Sequence, residues 1–365
     1  MKIKRITFAI GTRPESIKIA PLVKEMQRRQ VFSTLVCHSG QHATLSDDAA
    51  SFFSLKIDEN LAVRSNGGLA ELTARSLSAY TDYFKKTETD AVIVHGDTTT
   101  AFSAALSAFY LKKPVFHIEA GLRSCDMFSP YPEEWNRVAI DRLSNIAFAP
   151  TEKSRKNLIR EGTPPSNIYV VGNTVTDALR YTVDDSFASP YLKENSPLVI
   201  FTAHRRENIG NKMSEMCIAL KKLASEFPDF TFLCPVHPNP EVRSIVLPIL
   251  SNVENVILSE PLSVYEFHNL LTRAYMVMSD SGGVQEEAAT LGIPTLVMRE
   301  KTERTEGCDA GVIRLVGADF FSVYKNAKHL LENKSEREKM SALCYSYGDG
   351  RVSEKICDII EELNL

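Results

Sequence analysis

The stretch Ile-Thr-Phe-Ala-Ile-Gly-Thr-Arg-Pro-Glu-Ser, residues 6–16, passes from an unbroken apolar run into a glycine turn and then into a helical pattern. Residues 276–287, Met-Val-Met-Ser-Asp-Ser-Gly-Gly-Val-Gln-Glu-Glu, repeat this change in the second half of the chain. Pro14 suits a first helical turn, and Ser281 can cap a helix. Apolar runs without alternation are typical of parallel strands covered on both faces. Both halves therefore contain a predicted strand–turn–helix unit.

Alternating apolar runs and helical patterns extend over the whole chain. In the first half, strands are predicted at 6–10, 34–39, 91–94, 115–118, 146–150 and 168–171, with helices at 14–29 and 99–111. In the second half, strands are predicted at 198–202, 230–235, 256–259, 275–279, 295–298 and 313–316, with helices at 213–227, 264–273, 284–291 and 352–363. This order favours an α/β fold with parallel sheets.

A length of 365 residues favours two domains. We predict two Rossmann-like doubly wound domains, at residues 1–180 and 181–350, joined by a hinge at 184–197. Residues 351–365 form a C-terminal helix that could pack back on the first domain. Ligands of such sheets bind beyond the carboxyl ends of the strands, so the active site is expected in the cleft between the domains.

Composition narrows the class of protein. The chain has 44% hydrophobic and 24% charged residues, which is typical of a globular protein. Its net charge is −4, so nucleic acid is not expected as a partner. No apolar run approaches the roughly 20 residues of a membrane span. The run at 6–10 is too short for a signal peptide. The seven cysteines include no Cys-x-x-Cys pair, which indicates reduced cytoplasmic thiols rather than a zinc or redox site.

The turn at residues 11–15 has the features of an anion site. Gly11 allows a tight turn, and free backbone N–H groups at the start of a helix attract negative charge. Arg13 adds a forked donor that fits phosphate, and Lys18, one turn further on, faces the same way. A plain strand–helix turn with a surface arginine would show the same pattern.

The second half repeats this chemistry at two predicted strand ends. Ser281, Gly282 and Gly283 open a helix and let a phosphate approach the backbone. Glu287, one turn further on, is better placed for sugar hydroxyls such as those of a ribose. The cluster at 204–208, His-Arg-Arg-Glu-Asn, would suit a diphosphate, although such charge runs are often only solvated surface.

Three acids follow predicted strands or open a helix in the first half. Asp97, Glu119 and Glu133 could converge on one pocket from three loops, which suggests acid–base chemistry. A metal is the weaker interpretation, because no Asp-x-Asp pattern or paired histidine spacing supports it. Each acid alone could equally cap a helix. His237, at another strand end, is as consistent with a structural role as with a functional one.

Taken together and in order, these motifs resemble the bacterial non-hydrolysing UDP-N-acetylglucosamine (UDP-GlcNAc) 2-epimerases. The resemblance extends from residue 11 to about residue 317, and its long composite motifs are specific. They are GTRPE-x-IK, SGQH, VHGDTTT, HIEAGLRS, SPYPEE-x-NR, APT, VGNTV-x-D-AL, HRREN, PVHPNP, SDSGGVQEEA and TER. The family has the two-domain glycosyltransferase-B fold, in agreement with the predicted architecture.

The resemblance implies interconversion of UDP-GlcNAc and UDP-N-acetylmannosamine (UDP-ManNAc), with elimination of UDP and its re-addition. It also implies a homodimer and ManNAc units for surface polysaccharide. No cofactor or metal is implied, and the sequence contains no Gly-x-Gly-x-x-Gly fingerprint. Carboxylates on both faces of C2 can move its proton in either direction.

Roles follow by motif. The resemblance assigns acid–base chemistry to Asp97, Glu119 and Glu133. It assigns the diphosphate to Arg13, Lys18 and the catalytic His204. It assigns phosphate contacts to Ser281, Gly282 and Gly283, the ribose to Glu287, and stacking on uracil to Phe267, which without the family would be interpreted as a core aromatic residue.

Three other functions share parts of this pattern. A hydrolysing 2-epimerase would release ManNAc and UDP, but its relatives tend to lack the GTRPE and EAGLRS motifs. A UDP-sugar glycosyltransferase shares the fold but needs an acceptor and usually one base. A non-catalytic nucleotide-sugar sensor would keep Arg13 and lose the acids. The presence of all three acids favours the non-hydrolysing epimerase.

Many relatives bind a second UDP-GlcNAc as an activator, and this site is altered here. Gln41, Arg206 and His237 are kept, while Thr44 and Asn66 replace a glutamine and an arginine. We predict weakened or rearranged activation, so UDP-ManNAc should react without added UDP-GlcNAc. Initial rates with and without a trace of UDP-GlcNAc test this, and strict dependence on the trace would contradict it.

Overall fold

The computed structural model describes residues 4–40, 43–65 and 67–363, with the backbone alone over residues 43–47. The chain forms two compact units. The first comprises Met1–Tyr181 and Ser346–Leu365, and the second comprises Thr182–Tyr345. Each unit has its own sheet and its own apolar core.

Each unit is built on a parallel sheet. The strands of the first unit are β1 (Arg5–Ile10), β2 (Ser33–His38), β3 (Glu59–Asn60), β4 (Ala91–His95), β5 (Val115–Ile118), β6 (Ile146–Ala149) and β7 (Ile168–Val170). The strands of the second unit are β8 (Leu198–Thr202), β9 (Thr231–Pro235), β10 (Val256–Ser259), β11 (Ala274–Ser279), β12 (Thr295–Val297) and β13 (Ile313–Leu315).

Helices alternate with these strands. Those that precede β8 are α1 (Arg13–Arg29), α2 (Ala43–Phe52), α3 (Gly68–Lys86), α4 (Thr99–Tyr110), α5 (Glu133–Leu143), α6 (Glu152–Arg160) and α7 (Val175–Thr182). Those that follow are α8 (Asn211–Glu226), α9 (Pro240–Leu250), α10 (Val264–Thr272), α11 (Gly282–Thr290), α12 (Glu306–Asp309), α13 (Phe320–Glu332), α14 (Lys334–Lys339) and α15 (Val352–Glu362). Short 3₁₀ turns cover Pro165–Asn167, Arg206–Asn208 and Tyr345–Tyr347.

The strand orders are β3-β2-β1-β4-β5-β6-β7 in the first unit and β10-β9-β8-β11-β12-β13 in the second. All paired strands are parallel. In each sheet the chain runs to one edge and then crosses to the other side of its first strand. The loops after β1 and β4, and those after β8 and β11, therefore lie side by side at a topological switch point. The predicted α/β class with two Rossmann-like domains is confirmed.

The strands form where apolar residues are buried on both faces. Residues 6–10 of β1 and residues 92–94 of β4 are all 0% exposed, which explains why neither strand alternates in polarity. The predicted bounds of β1, β2 and α1 lie within one residue of the observed ones. Helix α3, which buries Leu72, Ser76, Tyr80 and Phe84, was among the helices that were not predicted.

The C-terminal helix α15 belongs to the first unit and packs against α1. The Arg29 guanidinium pairs with Asp358 at 2.6 Å and with Glu361 at 2.9 Å. Asp177 accepts the first two backbone N–H groups of α15, at 3.0 and 2.6 Å. Residues 184–197, predicted as a hinge, form neither helix nor strand. Within the described residues, no helix has the length and apolarity that a membrane crossing requires.

Candidate active site

A buried carboxylate connects the loops that follow β1 and β4. Glu15 is 2% exposed, and its Oε2 accepts the backbone N–H groups of Gly11 and Thr12 at 2.9 and 2.7 Å. The Thr98 hydroxyl, in the loop after β4, donates to Oε1 at 2.7 Å. Burial raises the pKa of Glu15 to about 7, although these hydrogen bonds act against the shift. Glu15 thus holds the start of α1 to the loop that contains Asp97.

The two predicted cations of α1 have different environments. Arg13 is the first residue of the helix and is partly exposed. Lys18 is 5% exposed, and its Nζ lies 2.5 Å from Oε2 of Glu119. The structure therefore places Lys18 beside one of the predicted acids and five residues along α1 from Arg13.

Glu119 is the centre of a buried polar cluster at the end of β5. Its side chain is 4% exposed, and its Oε2 accepts a hydrogen bond from Asn173 Nδ2 at 2.9 Å in addition to the contact with Lys18. His95 Nε2 lies 3.6 Å from the same oxygen. The backbone of Glu119 is left-handed, with φ of 69°, a strained conformation that surrounding contacts must stabilise. A carboxylate enclosed by a cation, an amide and an imidazole is suited to proton transfer.

Asp97, at the end of β4, belongs to a second cluster. Its carboxylate is paired with the guanidinium of Arg137, which is 1% exposed and also contacts Glu134 at 3.1 Å. Asn136 Nδ2 donates to the Asp97 carbonyl at 2.9 Å. Because His95 pairs with Ile118 across β4 and β5, the loops that contain Asp97 and Glu119 are neighbours at one edge of the sheet.

The two adjacent glutamates at the start of α5 differ in burial. Glu133, the predicted acid, is partly exposed at the first position of the helix. Glu134 is 2% exposed and accepts the backbone N–H groups of residues 124–125 at 3.0–3.1 Å. Glu134 and Arg137 were not predicted as site residues. The sequence feature that could have identified them is their spacing of three residues, which makes an acid and a cation neighbours on one face of a helix.

In the second unit, Asp280 organises the loop that follows β8. It is 0% exposed, and it accepts the backbone N–H groups of His204 and Arg205 at 2.9–3.1 Å. Asn208 Nδ2 donates to it at 3.1 Å. These three donor groups, all bonded to one buried carboxylate, fix the loop that carries the charged cluster at 204–208.

His204 lies at the edge of this loop. Its side chain is 36% exposed, and its ring stacks on that of His237, with centroids 5.4 Å apart. Enclosure by protein lowers the pKa of His204 below its ordinary value, while Asp280 acts in the opposite direction. Arg206 is exposed. The structure thus brings His204 and His237 together.

The first turn of α11 has the properties of an anion site. Ser281, Gly282 and Gly283 lie at its N-terminus, where the helix leaves backbone N–H groups free. A Cβ atom at Gly282 would lie 2.7 Å from Nη1 of Arg304 and 3.1 Å from Nη2 of Arg205. Two guanidinium groups at a helix N-terminus provide the charge and the donors that a phosphate requires.

Arg205 belongs to the cluster at 204–208 that was predicted to suit a diphosphate, whereas Arg304 was not predicted as a site residue. Arg304 is held by Glu286 at 2.9 Å and by Glu303, and both acids are buried. Arg304 and these two acids form a buried cluster of ion pairs beside α11. The TER motif at 302–304 was the available signal, but spacing alone did not connect it with the turn at Gly282.

Glu287, the predicted ribose contact, is buried, and Phe267, the predicted uracil contact, is partly exposed. Glu287 Oε1 lies 3.5 Å from His268 Nε2, and Thr182 Oγ1 lies 2.7 Å from the other ring nitrogen. Phe267 packs against the apolar core of the second unit with part of its ring accessible. The ring could therefore serve as a stacking surface as well as a core residue.

Only some of the residues discussed for the activator site lie within the described part of the chain. Gln41 and Asn66 lie outside the described residues, and the side chain of Thr44 is also outside them. Over the part of the chain that the structure describes, no group of three or more His, Cys, Asp or Glu side chains is arranged to hold a metal ion.

The fold and these clusters define an α/β protein, with a buried cluster of acidic and basic side chains in one Rossmann-like unit and a helix N-terminus flanked by two guanidinium groups in the other. The sequence profile of the UDP-N-acetylglucosamine 2-epimerases matches residues 24–361. The chain therefore belongs to the UDP-N-acetylglucosamine 2-epimerase family.

Individual relatives match over nearly their full length. The UDP-N-acetylglucosamine 2-epimerase of Campylobacter jejuni is 42% identical, covering 98% of this chain and 97% of its own. That of Bacillus subtilis is 41% identical, covering 100% and 96%. The crystal structure of UDP-GlcNAc 2-epimerase from Neisseria meningitidis bound to UDP-GlcNAc is similar with a TM-score of 0.95 and 40% identity, covering 98% of this chain and 100% of that one.

Glu15→Gln is expected to remove a pH-dependent contribution to stability. A carboxyl whose pKa rises from 4.5 to about 7 on folding binds its proton more tightly in the folded state. Its contribution is fully present below about pH 4.5 and is lost as the pH rises through 7, an effect of about 3 kcal/mol. Urea unfolding at several pH values measures this effect. As the pH rises, the free energy of unfolding of the wild type should fall by about this much relative to that of Glu15→Gln.

The matched control is Glu152→Gln, because the Glu152 side chain is 67% exposed in the first turn of α6. Its unfolding free energy should follow that of the wild type across the same pH range. If the difference between wild type and Glu15→Gln were constant with pH, the carboxyl would not titrate as expected.

Proposed function

We propose that this enzyme interconverts UDP-GlcNAc and UDP-ManNAc without hydrolysis, as a cytoplasmic homodimer that supplies ManNAc units for surface polysaccharide. In the proposed reaction the C1–O bond breaks with its electron pair going to UDP. C2 loses its proton, and the C–H electron pair forms the double bond of a glycal. Protonation of C2 on the opposite face and re-addition of UDP to C1 complete the epimerisation.

Residues of the second unit, together with Arg13 and Lys18 of the first, are proposed to hold the UDP group. The α11 N-terminus with Arg205 and Arg304 close to Gly282 supports a phosphate site. The UDP-GlcNAc bound to the Neisseria meningitidis relative supports the ligand. The proposed contacts are Ser281, Gly282 and Gly283 for phosphate, Arg13, Lys18 and His204 for the diphosphate charge, Glu287 for the ribose and Phe267 for the uracil.

Acids of the first unit are proposed to move the C2 proton. A proton beside an acetamido group is not acidic until the C1–O bond has begun to break and C1 has gained positive charge. The epimers hold this proton on opposite faces, so more than one carboxylate is needed. Asp97, Glu119 and Glu133 are the proposed acid–base groups, and their negative charge would also stabilise the developing cation.

One observation carries the proposal, namely the environment of Glu119. Its carboxylate is 4% exposed, with the Lys18 ammonium group 2.5 Å away and the His95 ring 3.6 Å away. A carboxylate that is shielded from bulk water is not stabilised by hydration, and it can therefore act on a carbon-bound proton. Lys18 balances its charge, and His95 offers a neighbouring group for proton relay.

A proton NMR time course of UDP-GlcNAc with the enzyme in D2O tests the reaction. We expect UDP-ManNAc to appear, with deuterium entering C2 because the lost proton is replaced from solvent. Free ManNAc with UDP would instead mean the hydrolysing reaction. An unchanged spectrum would contradict the proposal and favour a transferase lacking its acceptor or a sensor.

Glu119→Gln keeps the size of the side chain but cannot take up a proton. We expect kcat to fall by about 100-fold or more, the typical contribution of a general base. UDP affinity, measured by calorimetry, should not fall, because Glu119 is not a proposed UDP contact and its partner Lys18, which is one, is kept. The exposed Glu152→Gln serves as the control and should match the wild type. A Glu119→Gln enzyme with nearly normal kcat would exclude Glu119 as the base.

A further inference from the structure

A second buried network adjoins the loops that contain Asp97 and Glu119, and it includes none of the residues proposed to touch the substrate. His117, on β5, is 0% exposed; its Nδ1 lies 2.6 Å from Asp141 Oδ1 and its Nε2 lies 2.7 Å from the Gly96 carbonyl oxygen. Asp141, on α5, is 3% exposed and accepts the Gly121 N–H at 3.1 Å through Oδ2. One imidazole and one carboxylate thus reach both loops.

The contacts fall on the peptide units next to the two acids. Gly96 directly precedes Asp97, and Gly121 follows Glu119 by two residues. Gly96 and Glu119 both have left-handed backbones, with φ of 67° and 69°. For Glu119, which has a Cβ atom, this conformation persists only when the surroundings hold it in place. The hydrogen bonds to His117 and Asp141 supply such support on each side.

The remaining bonds of the network keep Asp141 ionised and oriented. Arg123 Nη2 donates to its Oδ2 at 2.6 Å and is itself paired with Glu161 at 2.7 Å. Burial acts to raise the pKa of Asp141, but His117 and Arg123 lower it below its ordinary value. The two ring nitrogens of His117 face the Asp141 carboxylate and a backbone carbonyl, and both of these oxygens can only accept hydrogen bonds.

We propose that His117 and Asp141 are positioning residues that together hold the Asp97 and Glu119 loops in the relative placement needed for proton transfer. This inference rests on the proposed function, because it treats Asp97 and Glu119 as the groups that act on the sugar. His117 and Asp141 act only through the backbone of the two loops. A displacement of about 1 Å in a reacting group can lower the rate by about 100-fold.

Two substitutions of similar polarity separate positioning from general structural support. In His117→Gln the side-chain amide nitrogen can occupy the place of Nε2 and still donate to the Gly96 carbonyl. In His117→Asn the amide can occupy only the place of Nδ1, so the bond to Asp141 is kept and the bond to Gly96 is lost. We expect His117→Gln to keep kcat within about tenfold and His117→Asn to lose about 100-fold, with KM little changed in both.

The same pair of substitutions at His329, exposed in the last turn of α13, is the control and should leave kcat unchanged. The proposal would be overturned if folded His117→Gln and His117→Asn had equal kcat values. It would also be overturned if His117→Gln lost about 100-fold in kcat, the loss expected for His117→Asn. If His117→Asn does not fold, His117→Phe replaces it, because it keeps a ring and removes both hydrogen bonds; the same loss is expected.

Hydrogen–deuterium exchange separates this inference from the proposed function. Backbone amides at 96–98 should exchange about tenfold faster in His117→Asn than in His117→Gln, the effect of losing one buried hydrogen bond. If this holds while wild-type enzyme leaves UDP-GlcNAc unchanged, the proposed function fails and the support of the loop stands. If wild type is active and neither exchange nor kcat distinguishes the variants, the positioning role fails.

Discussion

A carboxylate withdrawn from water must be surrounded by hydrogen-bond donors or cations, and this requirement organises both candidate sites. Glu15, Asp141 and Asp280 are each at most 3% exposed, and each accepts one or two backbone N–H groups from a loop that follows a β-strand. A loop whose backbone is hydrogen-bonded to a buried acid loses conformational freedom. The side chains that protrude from that loop are therefore fixed before any ligand arrives, which is how preorganised sites gain their advantage.

The parallel sheet explains why these acids can reach more than one loop. In the first unit, Glu15 joins the loops after β1 and β4, the two strands on either side of the switch point. In the second unit, Asp280 follows β11 and accepts from the loop after the adjacent β8. The same strand order thus places a buried acid beside hydrogen-bond donors of the neighbouring loop in both units, the Thr98 hydroxyl for Glu15 and two backbone amides for Asp280. The two sites differ in what the fixed loops present: carboxylates in one, cations and a helix terminus in the other.

Sequence patterns predicted the features that depend on local physics. The run at 6–10 identified β1 because a strand buried on both faces does not alternate in polarity, and Ser281-Gly282-Gly283 identified the start of α11, although the Ser281 side chain makes no cap hydrogen bond there. Contacts between distant segments were not predictable in this way. Asp141 meets His117 and Gly121 across 24 and 20 residues, and Arg304 meets Glu286 across 18, so no spacing rule of a helix or strand connects them.

Several acids at one edge of a sheet would repel one another unless each had its own counter-charge. Glu119 pairs with Lys18 and Asp97 pairs with Arg137, so each carboxylate has a cation of its own. Without these cations, the like charges of neighbouring loops would repel one another and push the two carboxylates apart. The proposed epimerisation needs more than one acid close to C2, because the two epimers hold its proton on opposite faces. The separate ion pairs therefore allow two carboxylates to occupy neighbouring loops, as that reaction requires.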